Sequence, residues 1–427
     1  MKLSTMQRKK LQRTYYFRLI MMSLIIGMMA SLLAFTLKWM TEHFQEVIFQ
    51  FAEHHNHLLF ILLPTVGITA IYFLRKYFFQ NRRNKGITEI YKTLDQRKDH
   101  LPFFKIPSHY INGFLTVIFG GSTGIEVSTV VATATVGNIA YQKEFSAKMY
   151  KRELVCAGVC AGVAILFGSP VVGWLFAVEV IARKMSKTIV MSCTASALVA
   201  WLFIYFLKPE SLISLALTDW KWTAVPFMIV LSILGSFLSI YFTLLVTRIK
   251  KFFSGINNNF VRVNLGALVV GSMIFIFPYL YGDSYHALKE FVLQPTSISL
   301  FVLIALVFLK PLASSLTLGA GGDGGVFAPS IVAGGFLGLT FAMLCNTYFG
   351  TSLNYLNFAL IGASATLSAS IYAPLTALFL VCNLVPNGFT LFFPLILSSF
   401  IANYFSKWIF PYNVYTYDLE VGKAKTH

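Results

Sequence analysis

Long apolar segments alternate with short polar connectors along the whole of this 427-residue chain. Each segment is long enough to cross, or partly cross, a hydrocarbon core about 30 Å thick. Several are unusually long or are broken by Gly and Pro, so we predict tilted and half-spanning helices, and more helices than segments. The apolar segments are residues 17–37, 57–74, 106–120, 154–182, 188–207, 223–246, 264–281, 298–318, 326–348, 355–382 and 389–410.

The composition agrees with an all-α polytopic membrane protein, because hydrophobic residues make up 56% of the chain and charged residues only 12%. The net charge of +17 would suit a nucleic-acid partner. The cations, however, cluster in the connectors, where the positive-inside rule places Lys and Arg. We therefore expect a lipid bilayer as partner, no nucleic acid, and a cytoplasmic N-terminus. The clusters are Lys2–Arg13, Arg75–Lys98, Lys143–Arg152, Arg183–Lys187 and Arg248–Lys251.

A glycine-rich run, Gly-Gly-Asp-Gly-Gly-Val-Phe-Ala-Pro-Ser at residues 321–330, leads straight into an apolar segment. Irregular backbone at membrane depth persists only inside protein or along a watery cavity. A helix that starts at Val326 would direct its first N–H groups and the positive end of its dipole into such a cavity. The run therefore predicts an anion site. The alternative is a glycine-lined helix–helix contact.

Two motifs recur in the same order along the chain. Gly124–Ser128 opens one apolar helix, and Gly325–Pro329 opens another 201 residues later. Phe167–Val171 is echoed by Ile371–Leu375 after 204 residues. Glycine- and proline-broken helices at matching positions of two repeats are the best sequence indication of a transport site at the membrane midplane.

The repeat sets the domain boundaries that we predict. Residues 1–427 form a single membrane domain, with a first repeat half at 15–207 and a second at 221–410. A C-terminal segment at 411–427 carries Tyr415. Because the chain ends at His427, we expect no cytoplasmic regulatory domain.

Glu126 is the acid most suited to a transport role. It follows a second glycine-rich break and begins an apolar helix. Intramembrane carboxylates are energetically costly when ionised, face cavities and often relay protons. At a helix start the ionised carboxylate would compete with a permeating anion for the same positive dipole, and protonation would release the site. Alternatively, Glu126 only satisfies its own backbone.

Lys85 and Tyr415 each allow two interpretations. Lys85 begins a short amphipathic segment, and it either adds one more topology charge or directs its ammonium toward an anion. Tyr415 lies just past the last apolar segment, where a tyrosine usually anchors the membrane interface. Its hydroxyl could instead donate a hydrogen bond to an anion.

Four separated pieces of the chain resemble the CLC family of chloride channels and chloride/proton antiporters, in the family's order. Gly121–Glu126 is similar to the GxEGP region, and Leu154–Glu179 to a Gly/Ala-rich helix pair with a central Pro. Lys310–Gly338 matches the GxFxP region, and Ile371–Asn383 the late APLT segment. The resemblance covers nearly the whole chain and is of the prokaryotic type. It implies an inverted repeat of tilted and half-spanning helices, a homodimer, and a location in the bacterial inner membrane.

The resemblance also implies residue roles. Glu126 falls at the family's external gating glutamate. Val326 and Phe327 fall where backbone amides bind the central anion, and Tyr415 at the coordinating tyrosine. Ile125 lies next to the gate and is expected to contribute to the anion site.

Three departures from the family's pattern stand out. Lys85 replaces the coordinating serine, so we expect altered anion affinity or selectivity there. Val127-Ser128 replaces the Gly-Pro that follows the gate. Val180 stands where well-studied exchangers hold an internal proton-transfer glutamate, and Glu179 matches the neighbouring acid.

The resulting interpretation is transport of chloride, or of a similar monovalent anion, by a proton-coupled antiporter gated by Glu126. The alternative is a passive chloride channel of the same fold, gated by voltage or pH. Fluoride selectivity is a further possibility. No catalytic arrangement, cofactor or metal site is predicted, so chloride and protons are the expected partners and an enzyme is not expected.

Overall fold

A computed structural model of the protein describes residues 5–79, 84–95, 100–143, 150–208, 213, 217 and 219–417. Residues 418–427 of the predicted C-terminal segment lie outside these ranges. Within them the backbone forms sixteen α-helices. The helices are α1 (Thr5–His55), α2 (Leu59–Tyr77), α3 (Ile87–Asp95), α4 (Lys105–Ile118), α5 (Glu126–Lys143), α6 (Lys151–Leu166), α7 (Pro170–Phe176), α8 (Lys187–Leu207), α9 (Val225–Ser254), α10 (Asn259–Ile276), α11 (Tyr285–Leu293), α12 (Leu300–Ala320), α13 (Phe327–Tyr348), α14 (Tyr355–Ile371), α15 (Pro374–Cys382) and α16 (Phe392–Ile409).

Among the described residues, eight helical stretches are long and apolar enough to cross a membrane. The prediction that helices outnumber apolar segments is confirmed, because two segments are broken and three helices, α3, α5 and α11, lie outside the predicted segments. Segment 154–182 contains α6, α7 and a π-helical turn at Ala177–Ala182, and segment 355–382 contains α14 and α15. Pro170 and Pro374 each occupy the first position of the helix after the break, where a missing N–H loses no bond.

Helix α5 is absent from the list of long apolar segments, although the glycine-rich break before Glu126 predicts its start and its interior is buried. Its sequence alternates Thr and Ser with Val and Ala, so its mean hydropathy stays low. The hydroxyls of Thr133 and Thr135 donate hydrogen bonds to the backbone carbonyls of residues 129 and 131, at 2.8 and 2.7 Å. Helical hydroxyls that bond to the preceding turn can be buried without an outside partner.

The chain divides into two compact units that interleave along the sequence. The first comprises Met1–Lys38, Lys85–Tyr110 and Thr129–Pro209. The second comprises Trp39–Asn84, Ile111–Ser128 and Glu210–His427. These units do not follow the predicted repeat halves, which remain a prediction.

Within the second unit, α13 packs closely against α14 through small residues. A Cβ added at Gly338 would lie 2.0 Å from the carbonyl oxygen of Phe358, so the two backbones approach as closely as glycine permits. Contacts of this kind let membrane helices gain packing energy without a hydrophobic driving force. The contact fixes α13, whose N-terminal end belongs to the candidate site.

Candidate anion-binding site

Two helix starts converge within the second unit. Helix α5 begins at Glu126 and α13 at Phe327, 201 residues later. The glycine-rich loops in front of them meet in an antiparallel bridge between Gly124 and Gly325. The Thr123 hydroxyl donates to the carbonyl of Gly325 at 2.7 Å and accepts from its N–H at 3.0 Å. Each helix therefore begins two residues after the same backbone contact.

A reciprocal pair of hydrogen bonds reinforces this contact. The backbone N–H of Ser122 donates to the Thr317 hydroxyl at 3.1 Å. The backbone N–H of Asp323 donates to the Thr116 hydroxyl at 2.9 Å. The two donors are 201 residues apart in the sequence, as are the two acceptors. Each glycine loop is thus held by a threonine of the helix that precedes the other loop.

The start of α13 lies where the glycine run predicts it. Val326 is the N-terminal cap residue and Phe327 the first helical residue, and each is only 1% exposed. Pro329 stands in the first turn, where its fixed φ suits a helix start. Because the first N–H groups of a helix lack intrahelical acceptors and carry the positive end of the dipole, this buried start is suited to an anion.

Tyr415 lies beside this helix start. Its ring stacks on that of Phe327 with 6.2 Å between centroids, and the residue is 5% exposed. Asn413 holds the turn, because its side-chain oxygen accepts from the Tyr415 N–H at 3.0 Å and its amide donates to the Ile371 carbonyl at 3.2 Å. The structure therefore brings Tyr415 to Phe327, as the predicted site requires, while their binding of an anion stays a prediction.

The Glu126 side chain folds back over its own loop. A Cβ placed on Gly124 would lie 2.2 Å from Glu126 Oε2, so the carboxylate fills the space over that glycine. The carboxylate accepts a hydrogen bond from the backbone N–H of Glu126 itself. Among the described residues, Oε2 is buried and has no hydrogen-bond partner. Ile125, the remaining predicted site residue of this loop, is half-buried.

A buried ammonium stands close to this carboxylate. Lys310 of α12 is fully buried, and its Nζ donates to Ser122 Oγ at 2.9 Å, the Gly282 carbonyl at 2.8 Å and Ser284 Oγ at 2.8 Å. Its charge acts on Glu126. The three bonds use all the donors of an ammonium group.

The sequence interpretation missed Lys310, although a signal was present. It is the only charged residue of the apolar helix Leu300–Ala320. An ionisable group inside such a helix is a functional candidate in its own right. In the sequence analysis, Lys310 appears only as the first residue of the segment that resembles the GxFxP region.

Two further polar residues act on the Glu126 carboxylate, and a third interacts with its neighbours. Asp283 and Tyr285 both act on the carboxylate electrostatically, and His286 interacts with Asp283 and Lys310. Burial raises the pKa of Tyr285 well above its usual range and lowers the pKa of His286 to about 4. Both side chains are therefore neutral at physiological pH, and Tyr285 retains its phenolic proton.

Lys85 belongs to the first unit and is exposed. Its backbone N–H donates to Glu89 Oε1 at 2.5 Å, so the Glu89 carboxylate caps the N-terminal end of α3. Glu89 also forms an ion pair with Lys105 at 2.9 Å. These contacts explain the local fold around Lys85, and its role toward an anion stays a prediction.

Val180 lies in the π-helical turn at Ala177–Ala182, also in the first unit. Its side chain is 3% exposed, and its carbonyl accepts from the Tyr91 hydroxyl at 3.0 Å. The Arg183 guanidinium lies 4.1 Å from the centre of the Tyr91 ring. An apolar side chain thus occupies the position to which the resemblance assigns an acid, and the consequence for proton transfer stays a prediction.

Comparison with known proteins extends these observations. The model of the family described as voltage gated chloride channel matches residues 66–407. The H(+)/Cl(-) exchange transporter ClcA of Yersinia pestis bv. Antiqua (strain Angola) is 25% identical over 356 residues, covering 80% of this chain and 73% of the relative. ClcA of Salmonella typhi is 23% identical over 418 residues, covering 95% and 88%.

Solved structures share the fold. A slow cyanobacterial Cl-/H+ antiporter superposes with a TM-score of 0.81 at 20% identity, covering 96% of this chain and 98% of the other. A CLC-type fluoride/proton antiporter gives a TM-score of 0.79 at 21% identity, covering 97% and 98%. The family match spans most of the sequence, and each of these solved structures covers at least 96% of the chain. The protein is an integral membrane protein that belongs to the voltage gated chloride channel (CLC) family.

Proposed function

We propose that this protein exchanges chloride, or a similar monovalent anion, for protons, with Glu126 as the gate. The observation that carries this proposal is the position of the Glu126 carboxylate, which lies over Gly124 beside the joined starts of α5 and α13. An anion at Val326, Phe327 and Tyr415 and an ionised Glu126 are attracted to the same N-terminal dipoles. Protonation of Glu126 removes the competing charge and admits the anion.

The relatives support this proposal, because several are named H(+)/Cl(-) exchange transporters. We also propose a homodimer in the bacterial inner membrane with the N-terminus in the cytoplasm. Its substrates are the anion and protons, it needs no cofactor, and it works as a transporter rather than an enzyme.

A passive channel is the second candidate, and Val180 favours it. An internal acid would relay protons between Glu126 and the cytoplasm, and the valine at that position cannot bind a proton. Exchange then requires another route for the proton, whereas a channel requires none.

Paired flux measurements on protein reconstituted in liposomes separate the two. An outward chloride gradient is expected to drive protons uphill in the wild type, and Glu126→Gln is expected to abolish this while chloride still moves. Chloride flux without proton movement in the wild type would establish a channel. Repeating the assay with fluoride determines which halide is preferred.

A further inference from the structure

Two buried polar atoms face each other beside the glycine loop without completing a hydrogen bond. Within the part of the chain that the structure describes, neither Glu126 Oε2 nor the Tyr285 hydroxyl has a hydrogen-bond partner of good geometry. The two side chains nevertheless interact directly. Buried polar atoms rarely remain unsatisfied, and each such pair needs an explanation.

The loop that carries Tyr285 is tightly fixed. Gly282 and Ser284 adopt positive φ values of 57° and 66°, and the Tyr285 N–H donates to Asp283 Oδ1 at 3.1 Å. This turn fixes the backbone at Tyr285, which is the first residue of α11.

Lys310 joins this loop to the loop that carries Glu126. Its ammonium binds Gly282 and Ser284 on one side and Ser122 on the other, with all three distances between 2.8 and 2.9 Å. Ser122 lies four residues before Glu126. The buried Lys310 side chain therefore links the loop that carries the Tyr285 phenol to the loop that carries the Glu126 carboxylate.

The chemistry of the surrounding groups makes Tyr285 a donor. Since burial raises the pKa of its phenol well above the usual range, the proton is available at every physiological pH. Of the other groups that face Glu126, Asp283 disfavours the ionised carboxylate and Lys310 favours it. His286, which interacts with Asp283 and Lys310, is neutral because burial lowers its pKa to about 4.

We propose that Tyr285 is a positioning residue for the gate, which donates a hydrogen bond to the ionised Glu126 carboxylate and holds it over Gly124. The inference rests on the proposed gating role of Glu126. A donor to a carboxylate favours its ionised form, so Tyr285 lowers the pH at which the gate binds its proton.

Tyr285→Phe tests the proposal, because it removes the hydroxyl and keeps the ring. The pH midpoint of anion flux in liposomes is expected to rise by about one unit, a tenfold gain in proton affinity, as for loss of one charge-assisted hydrogen bond. The carboxyl stretch of Glu126, followed by infrared spectroscopy against Glu126→Gln, is expected to titrate with the same shift. A midpoint equal to that of the wild type in both measurements would overturn the proposal.

Tyr281→Phe is the matched control. Tyr281 is also buried in this region, but its hydroxyl donates to the Ile118 carbonyl at 2.5 Å and not to Glu126. We expect this variant to lose thermal stability and to keep the wild-type midpoint. An equal shift in Tyr281→Phe would mean that general loosening of the region, and not the Tyr285 hydroxyl, moves the midpoint.

Glu126→Gln separates failure of this inference from failure of the proposed function. If Glu126→Gln retains proton coupling, Glu126 is not the gate, and both proposals fall. If it abolishes coupling while Tyr285→Phe titrates as the wild type does, only the role of Tyr285 falls. Tyr285→Leu is measured in parallel and replaces the Phe variant if that variant does not fold. Leucine also lacks the hydroxyl, so we expect the pH midpoint of anion flux to shift in the same direction.

Discussion

Replacing Gly124 with alanine should open the gate without removing its acid. In the structure a Cβ at this position would lie 2.2 Å from Glu126 Oε2 and 2.6 Å from Oε1, against 3.4–4 Å for an ordinary van der Waals contact. The overlap exceeds 1 Å. Because the carboxylate is the end of a flexible side chain, we expect it to turn away while the backbone stays in place.

The size of this effect follows from the cost of crowding a packed site. Adding one methylene-sized group to such a site disfavours the present arrangement by about 1–3 kcal/mol. A free-energy difference of that size changes the ratio of two states by about 5- to 150-fold. In Gly124→Ala the ionised carboxylate therefore occupies the position over residue 124 only as a minor state, whereas in the wild type this is its preferred position.

Anion efflux from liposomes as a function of pH measures the result. We expect Gly124→Ala to transport near neutral pH almost as fast as the wild type does at acidic pH, where Glu126 is protonated. Adding Glu126→Gln to the same variant should produce little further increase. A folded Gly124→Ala protein with the pH dependence of the wild type would refute the assigned position of the carboxylate.

Gly325→Ala serves as the control from the other half of the same bridge. Its added Cβ would lie 2.2 Å from Val127 Cγ2 and 2.9 Å from Val127 Cβ. A β-branched side chain has little rotational freedom in a helix, so this clash cannot be relieved by a swing of the side chain. We expect a loss of thermal stability of about 1–3 kcal/mol, and no shift in the pH midpoint.

Three other substitutions examine individual residues of the site. Tyr415→Phe should weaken anion binding in calorimetry by about tenfold or more, as for loss of a hydrogen bond to a charged group, and unchanged affinity would remove its hydroxyl from the site. Lys310→Met should lower thermal stability by about 3 kcal/mol, because it leaves three buried acceptors without their donor; an unchanged unfolding temperature would show that the ammonium is not a structural link. Lys85→Ser should alter anion affinity or selectivity, and if binding, selectivity and flux all stay the same, Lys85 is only a surface charge.

Much of the fold could be predicted because hydropathy and glycine–proline breaks are local signals. Pro170 and Pro374 mark two helix starts, and the run at residues 321–325 marks the start of α13. Helix α5 lies outside the long apolar segments because its Thr and Ser residues lower the hydropathy, and only the glycine-rich break before Glu126 indicates its start. The interleaving of the two compact units depends on contacts between distant segments, and no local pattern encodes it.

The candidate site was predicted in part. Phe327 and Tyr415, which the resemblance assigns to one site, lie in contact, and Glu126 lies over the loop that precedes it. Tyr285 belongs to no motif, and only the fold brings its hydroxyl to Glu126. Lys310 could have been found as an isolated charge in an apolar helix, but its three acceptors come from two distant loops and are visible only in the structure.

A crystallographic search for the anion itself tests the central proposal most directly. Crystals grown with bromide in place of chloride would give an anomalous signal at the anion position. We predict a peak within hydrogen-bonding distance of the backbone amides of Val326 and Phe327 and of the Tyr415 hydroxyl, with higher occupancy in Glu126→Gln. The absence of bromide from this position in both the wild type and the variant would contradict the proposal that these joined helix starts bind the transported anion.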